Sequence, residues 1–255
     1  MTFPPLKRHE KIMELLFGSG EVKVNELSAL LDVTGKTIRE DLERLEEQGL
    51  LVRVHGGALL KNRSDLGLLP QQAPNARHLP EKADVARIAV QLIEPNDIIA
   101  LDGGSTTLEM AKLLDNVPLT VLTNDLFIIA ELARKDRIRL IVPGGHRNRN
   151  MLVSPEAVTF MARLNIRKAF LSATAIHPEY GMTIYTGELL DQKQAMLEAA
   201  ERAYCVADHT KFDKCALLTF AKLNEVYALI TDSGLTSEMA EKYEAVGAKL
   251  IRGPL

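Results

Sequence analysis

At 255 residues, 46% hydrophobic and 25% charged, the chain has the size and composition of one large or two small globular domains. No apolar run approaches the ~18–20 residues of a membrane-spanning helix. The start Met1–Glu10 lacks the apolar stretch of a secretory leader. Two cysteines, Cys205 and Cys215, are too few for a disulfide framework and fit a reducing cytoplasm, and a net charge of −3 excludes a histone-like polyanion binder.

Three helical patterns open the chain. Ile12, Leu15 and Leu16 share one helical face, as do Leu27, Leu30 and Leu31, and then Ile38, Leu42 and Leu45. Thr34 is placed to cap the third helix and Gly49 to end it. Leu50–Leu60 reads as two strands about a Gly56-Gly57 turn. Three short helices and a hairpin describe a winged helix-turn-helix; a small helical cap without a ligand is the competing reading. With Ile38, Leu42 and Leu45 inward, Lys36, Glu40, Glu43 and Arg44 point outward, and Thr37 and Arg39 flank the N-terminal end. That end of the second helix of such a motif reads base edges in the major groove. Arg53 and His55 on the hairpin are placed to reach the adjacent phosphate backbone. Residues 1–60 hold 8 Lys+Arg against 10 Asp+Glu, so DNA binding requires segregated charge, with Glu10, Glu46 and Glu47 facing away.

Composition then shifts. Residues 61–84 lack apolar periodicity through most of their length and carry Pro70, Pro74 and Pro80. The predicted division is a DNA-binding domain over 1–60, a linker over 61–80 and a larger domain over 81–255. In the latter, apolar strands are predicted at Asp97–Leu101, Leu119–Leu122, Ile138–Val142, Ala169–Ser172, Tyr204–Ala207, Val226–Ile230 and Lys249–Ile251. Amphipathic stretches at Thr107–Leu114, Leu126–Arg134, Glu188–Arg202 and Ser237–Val246 lie between several of them. Such alternation predicts an α/β fold, a mostly parallel sheet covered by helices on both faces, with ligands at the carboxyl ends of its strands.

Polar groups stand at four of those ends. Asp102-Gly103-Gly104-Ser105-Thr106-Thr107 lies between an apolar strand and a helix, where glycines permit close approach and free N–H groups suit an anion. Thr123-Asn124-Asp125 follows the next strand, then Pro143-Gly144-Gly145-His146-Arg147, and later Asp208, His209 and Lys211. Each segment read alone is equally a turn or a helix cap. Asp102 suits sugar hydroxyls, and Arg147 and Lys211 supply positive charge for a phosphate. Neither a Walker lysine nor a Gly-x-Gly-x-x-Gly run is present, and the six histidines are dispersed, so no nucleotide fingerprint, metal site or cofactor is expected. Cys205, in an apolar strand, reads as core.

The segments Thr37-Ile-Arg-Glu-Asp-Leu-Glu-Arg-Leu-Glu-Glu-Gln-Gly49 and Leu51-Val-Arg-Val-His-Gly-Gly-Ala58 closely resemble the N-terminal signature of DeoR-type (GlpR-like) bacterial transcriptional repressors. The polar strand ends, in their order, resemble that family too, so the resemblance covers nearly the whole chain. It implies a winged helix-turn-helix with Lys36, Thr37, Arg39, Glu40, Arg44, Arg53 and His55 near double-stranded operator DNA. It also implies an effector domain like ribose-5-phosphate isomerase and coenzyme A transferases, with Asp102, Gly103, Gly104, Ser105, Thr106, Thr107, Thr123, Asn124, Gly145, Arg147 and Lys211 around a sugar phosphate. The family usually carries a basic residue where Glu40 stands; a carboxylate there accepts from cytosine N4, which makes Glu40 a candidate specificity residue. The expected protein is a cytoplasmic homo-oligomeric repressor of a carbohydrate operon, released from its operator by a phosphorylated sugar. The rival is an isomerase-like enzyme with an accessory helical module. Its base would have to come from the Ala173–Gly181 loop, which offers only Glu179.

Overall fold

The structure is a computed structural model that describes residues 4–47, 50–60 and 78–253. Gly49 and residues 61–77 of the expected linker lie outside the described residues.

The N-terminal module runs α1 (Pro5–Ser19), β1 (Glu21–Lys23), α2 (Val24–Leu31), α3 (Gly35–Glu47), β2 (Leu51–Val54) and β3 (Gly57–Leu60). Gly20, at φ +83°, ends α1 in the left-handed conformation that glycine adopts without cost, so the chain turns straight into β1. The Thr34 hydroxyl oxygen accepts from Thr37 N at 3.2 Å and caps α3 as expected. Ile12, Leu16, Leu27, Leu31, Ile38, Leu42 and Leu45 are all buried. Leu30, expected on the inner face of the second helix, is 56% exposed, because an eight-residue helix buries only a narrow stripe. Val54 pairs with Gly57, so the hairpin turn is His55-Gly56, one residue earlier than predicted. Gly57 instead opens β3, where a Cβ would collide with the Val22 carbonyl of β1, a strand the sequence did not disclose.

The second unit opens with α4 (Leu79–Val90), whose Pro80 sits in the first turn, where its missing N–H leaves no bond unmade. Helix therefore replaces the expected end of the linker. There follow β4 (Ile98–Leu101), α5 (Ser105–Leu113), β5 (Leu119–Leu122), α6 (Leu126–Leu132), β6 (Ile138–Ile141), β7 (His146–Asn148), β8 (Met151–Val153), α7 (Pro155–Met161) and β9 (Ile166–Ser172). The chain continues through β10 (Ala175–His177), β11 (Gly181–Ile184), α8 (Leu190–Glu198), β12 (Ala200–Val206), β13 (Leu218–Ala221), β14 (Ala228–Thr231), α9 (Ser237–Glu244) and β15 (Leu250–Arg252). Seven strands form a parallel sheet in the order β15-β14-β12-β9-β4-β5-β6, and each overlaps one of the predicted apolar runs, with ends shifted by one or two residues in most. Separate apolar clusters cover its two faces, which is why these runs are continuous rather than alternating. The helix expected over Glu188–Arg202 stops at Glu198, since Ala200 and Arg202 pair with Ile166 and Lys168 of β9.

Two small sheets were not anticipated: the β7–β8 hairpin, and an antiparallel β10-β11-β13 sheet. The latter joins the two units, because Ala175, Tyr185 and Ala216 complete the apolar cluster of the winged module. Among the described residues, no helix is long and apolar enough to cross a membrane.

Candidate nucleic-acid interface and strand-end pocket

Along α3, Lys36, Arg39, Glu40 and Arg44 are exposed and Thr37 is half-buried at the N-terminal turn, as the helical wheel requires. Lys36 lies 3.9 Å from Glu40, an exposed pair of small energetic consequence. Arg53 is not the free wing cation expected: its Nε donates to Glu46 at 2.9 Å, and Glu43 lies 3.7 Å away. Its backbone N–H also donates to Glu46, and these bonds hold the Glu46 carboxyl below its ordinary range. Glu46 therefore braces the wing against α3. His55 is exposed at the wing's turn.

One charged residue of α3 is buried. The Asp41 carboxylate accepts from Arg8 Nε at 2.5 Å and Nη2 at 2.9 Å, with His9 Nε2 2.9 Å away. All three residues are less than 9% exposed, so α1 and α3 are clamped through a buried ionic contact.

At the carboxyl ends of β4, β5 and β9, polar side chains converge in the core. Asp102, at the end of β4, accepts from Ser172 N at 2.9 Å and Ser172 Oγ at 2.8 Å, and from the ammonium of Lys193. Lys193 also donates to the Ser172 carbonyl at 2.8 Å and stands over the Phe220 ring at 5.1 Å. Asp102 and Lys193 are each 3% exposed. Their neighbours at the end of β5 form a second knot. Asn124 Nδ2 donates to the Leu152 carbonyl at 3.1 Å and to Gln192, while Gln192 Nε2 donates to that same carbonyl at 3.2 Å. Both amides are oriented by one acceptor, and Asn124 Oδ1 is left buried with no partner in the described structure. Such an atom costs ~1–3 kcal/mol unless a water or ligand donor meets it.

The glycines of the Asp102 loop are demanded by packing. A Cβ on Gly103 would meet the Met151 thioether, and one on Gly104 would meet Ser172. Ser105, Thr106 and Thr107 are buried, and the Thr107 hydroxyl is engaged with the Gly104 carbonyl at 3.0 Å. Thr123 Oγ1 accepts from Asp125 N at 3.3 Å. Gly145, at φ +119°, passes under the Val153 carbonyl at the base of β7. Arg147 is not brought to the strand ends: it is exposed on β7, and its Nε donates to the Arg149 carbonyl at 2.7 Å. Lys211 is buried in a short turn after β12, separated from β4 by β9. The cation paired with Asp102 is Lys193, which the sequence reading missed together with Gln192. Asp232, after β14, was missed as well, and it accepts from His209 N at 2.7 Å.

Asp125 caps α6 through Phe127 N at 2.8 Å and Ile128 N at 3.1 Å, and accepts from Asn150 Nδ2 at 2.5 Å. Burial pushes its pKa up from 3.8 to about 6 against those bonds, with the nearby Asp102 charge adding to the rise. The unfolded chain ionises this group near its ordinary value, so its ionisation disfavours folding as pH rises from about 4 through 6. That gap corresponds to about 3 kcal/mol at neutral pH. Replacing Asp125 by Asn is expected to remove that pH dependence while keeping a capping oxygen. Denaturation at pH 5 and pH 7.5 checks it: a stability difference between variant and wild type that does not change with pH would refute it.

The family models agree with this geometry. Residues 8–64 match the DeoR-like helix-turn-helix domain and residues 77–233 the DeoR C terminal sensor domain. The HTH-type transcriptional regulator IolR of Bacillus subtilis is 31% identical, over 92% of this chain and 94% of its own. The transcriptional repressor AccR of Agrobacterium fabrum is 34% identical over 89% of each. Among solved structures, ribose 5-phosphate isomerase A of Methanocaldococcus jannaschii aligns with 52% of this chain and 54% of its own, at 16% identity and a TM-score of 0.39.

Proposed function

We propose a function from one premise, that this chain belongs to the DeoR family of transcriptional regulators: it is a repressor that binds operator DNA and releases it when a phosphorylated sugar binds. The observation that carries the DNA half is the exposed row Lys36, Arg39, Glu40 and Arg44 on α3, with Thr37 at its leading end and His55 on the adjoining wing. In this reading Arg53 exchanges part of its bond to Glu46 for phosphate. The sensor half rests on the strand-end cluster, where Lys193 and the α5 N-terminus from Gly103 to Thr107 supply the phosphate site. Asp102, Thr123 and Asn124 take hydroxyls, and Lys211 lies further along the same edge. Arg147 and Gly145 belong to the hairpin above it.

The protein is not an enzyme in this reading. Glu179 stands on an exposed turn between β10 and β11, with its N–H donated to His177 Nδ1 at 3.1 Å, which is a poor setting for a carboxylate base. Failure to interconvert pentose or hexose phosphates is the matching assay result. Homo-oligomers in the cytoplasm would present paired modules to half-sites ~10 base pairs, or a multiple, apart. A 100-fold induction requires a coupling of about 2.7 kcal/mol between the two ligands.

Replacing Arg39 by Ala is expected to weaken operator binding by about 10- to 100-fold, the scale of one lost base or phosphate contact, with an unchanged melting temperature. Glu40→Arg should raise nonspecific affinity and steepen the salt dependence by roughly one counterion. Fluorescence anisotropy over a salt series measures both. Operator affinity unchanged in Arg39→Ala would sink the assignment of this helix face.

A further inference from the structure

We propose that the β7–β8 hairpin is a lever through which a ligand at the strand ends moves the recognition helix. The proposal rests on the strand-end reading above and adds the route of the signal. On its inner side the hairpin covers the ends of β4 and β5. Leu152 N donates to the Asn124 carbonyl at 2.8 Å, and its own carbonyl takes the amides of Asn124 and Gln192. Asn150 holds Asp125, and the Met151 side chain lies on Gly103. A ligand reaching Asp102, Gly103 or Asn124 therefore has to displace Met151 or Leu152. Beneath them lies the buried Asn124 Oδ1, which has no protein partner among the described residues and is an acceptor available to a ligand donor.

At the base of the hairpin Gly144 and Gly145 stand at φ +83° and +119°, backbone conformations open to glycine without strain. On the outer side, Asn148 Nδ2 donates to Glu188. Beside Glu188, Gly187 leaves room for Glu10 of α1, whose Oε1 lies 2.8 Å from where a Gly187 Cβ would stand. A cavity of about 340 Å³ opens here, lined by Glu10, Glu14, Arg149 and Tyr185 among others, so at this point the units meet through side-chain tips with space to move. Glu10 adjoins Arg8 and His9 in sequence, and these two grip Asp41 of α3. A shift of the hairpin thus meets α1, and α1 cannot move away from α3 without exposing or breaking a buried ionic contact. The route runs from Asn124 through the hairpin and Glu188 to Gly187, across to Glu10, and then along the α1 backbone to the residues that hold Asp41.

The test uses the full-length protein and reads a ratio: operator affinity without and with saturating effector. Effector affinity is measured separately by calorimetry with ribose 5-phosphate, glucose 6-phosphate, fructose 1-phosphate and glucosamine 6-phosphate. Asn148→Ala and Glu10→Ala are each expected to bind operator and effector within about threefold of wild type, while the ratio falls at least tenfold. Glu188→Ala, on the other side of the Asn148 bond, provides a second reading should Asn148→Ala fold poorly. A wild-type ratio in any folded member of the three overturns the lever. So does loss of effector binding in Asn148→Ala, which would make it a pocket residue. A wild-type protein indifferent to all four sugar phosphates would refute the effector class instead, a distinct result.

Discussion

Replacing Asp41 by Ala is expected to destabilise the winged module by about 3–5 kcal/mol and to abolish operator binding with it. The reason is burial. Asp41 is 2% exposed, Arg8 8% and His9 7%, so salt and water do little to screen the contact. The bond to Asp41 raises the Arg8 pKa; Asp41→Ala removes that support, and the guanidinium, intrinsically too basic to lose its proton, stays charged. It is then a cation in a low-dielectric site with no counter-charge beside it, which is costlier than the original pair was favourable. Removing both charges should recover much of the loss: Arg8→Met combined with Asp41→Ala is expected to be more stable than Asp41→Ala alone. Urea denaturation of the wild type, Asp41→Ala, Arg8→Met and the double variant checks this. A cost below ~1 kcal/mol for Asp41→Ala would show that the contact is open to water.

Asp41 also shows where the sequence could have said more. It lies three residues after Ile38 and four before Leu45, inside the apolar stripe that identified the helix, yet it stands among Glu40 and Glu43 and reads as one more surface charge. Lys193 and Gln192 were hidden in the same way. They lie just before Ala195 and Met196 on an amphipathic helix, and long polar side chains on such a helix are usually solvated. A charged residue within a buried stripe is the available signal, and it requires weighing which partner the fold will deliver.

The parallel sheet was legible for the opposite reason. Strands buried on both faces must be apolar throughout, so Ile98–Leu101 or Ala169–Ser172 announce themselves without their neighbours. The three-residue strands β7, β8 and β10 carry no period, and their pairing depends on segments the chain brings together only after the sheet exists. Arg147, expected beside a phosphate, is exposed on one of these strands. It follows a strand, as the phosphate reading required, but the Gly144-Gly145 turn carries it onto the outside of a hairpin.

Replacing Lys193 by Met is expected to destabilise the sensor unit by about 3–5 kcal/mol, because it strands the Asp102 carboxylate beneath Ser172 with no cation. Asp102→Asn is the milder change: the amide oxygen can still accept from Lys193, which also keeps the Ser172 carbonyl. The sequence marked Asp102 only as a partner for sugar hydroxyls; the buried pair makes Asp102→Asn a stability change as well. Either single variant therefore confuses loss of ligand with loss of fold. The double variant separates them. Asp102→Asn with Lys193→Met buries no charge at this point and should melt closer to wild type than Lys193→Met does. If the pair also holds the effector, that folded double variant still binds operator but loses at least tenfold in sugar-phosphate affinity, the scale of one charge-assisted contact. If it binds the effector as the wild type does, Lys193 is a structural cation only, and the phosphate site belongs elsewhere on the edge, with Lys211 the next residue to change.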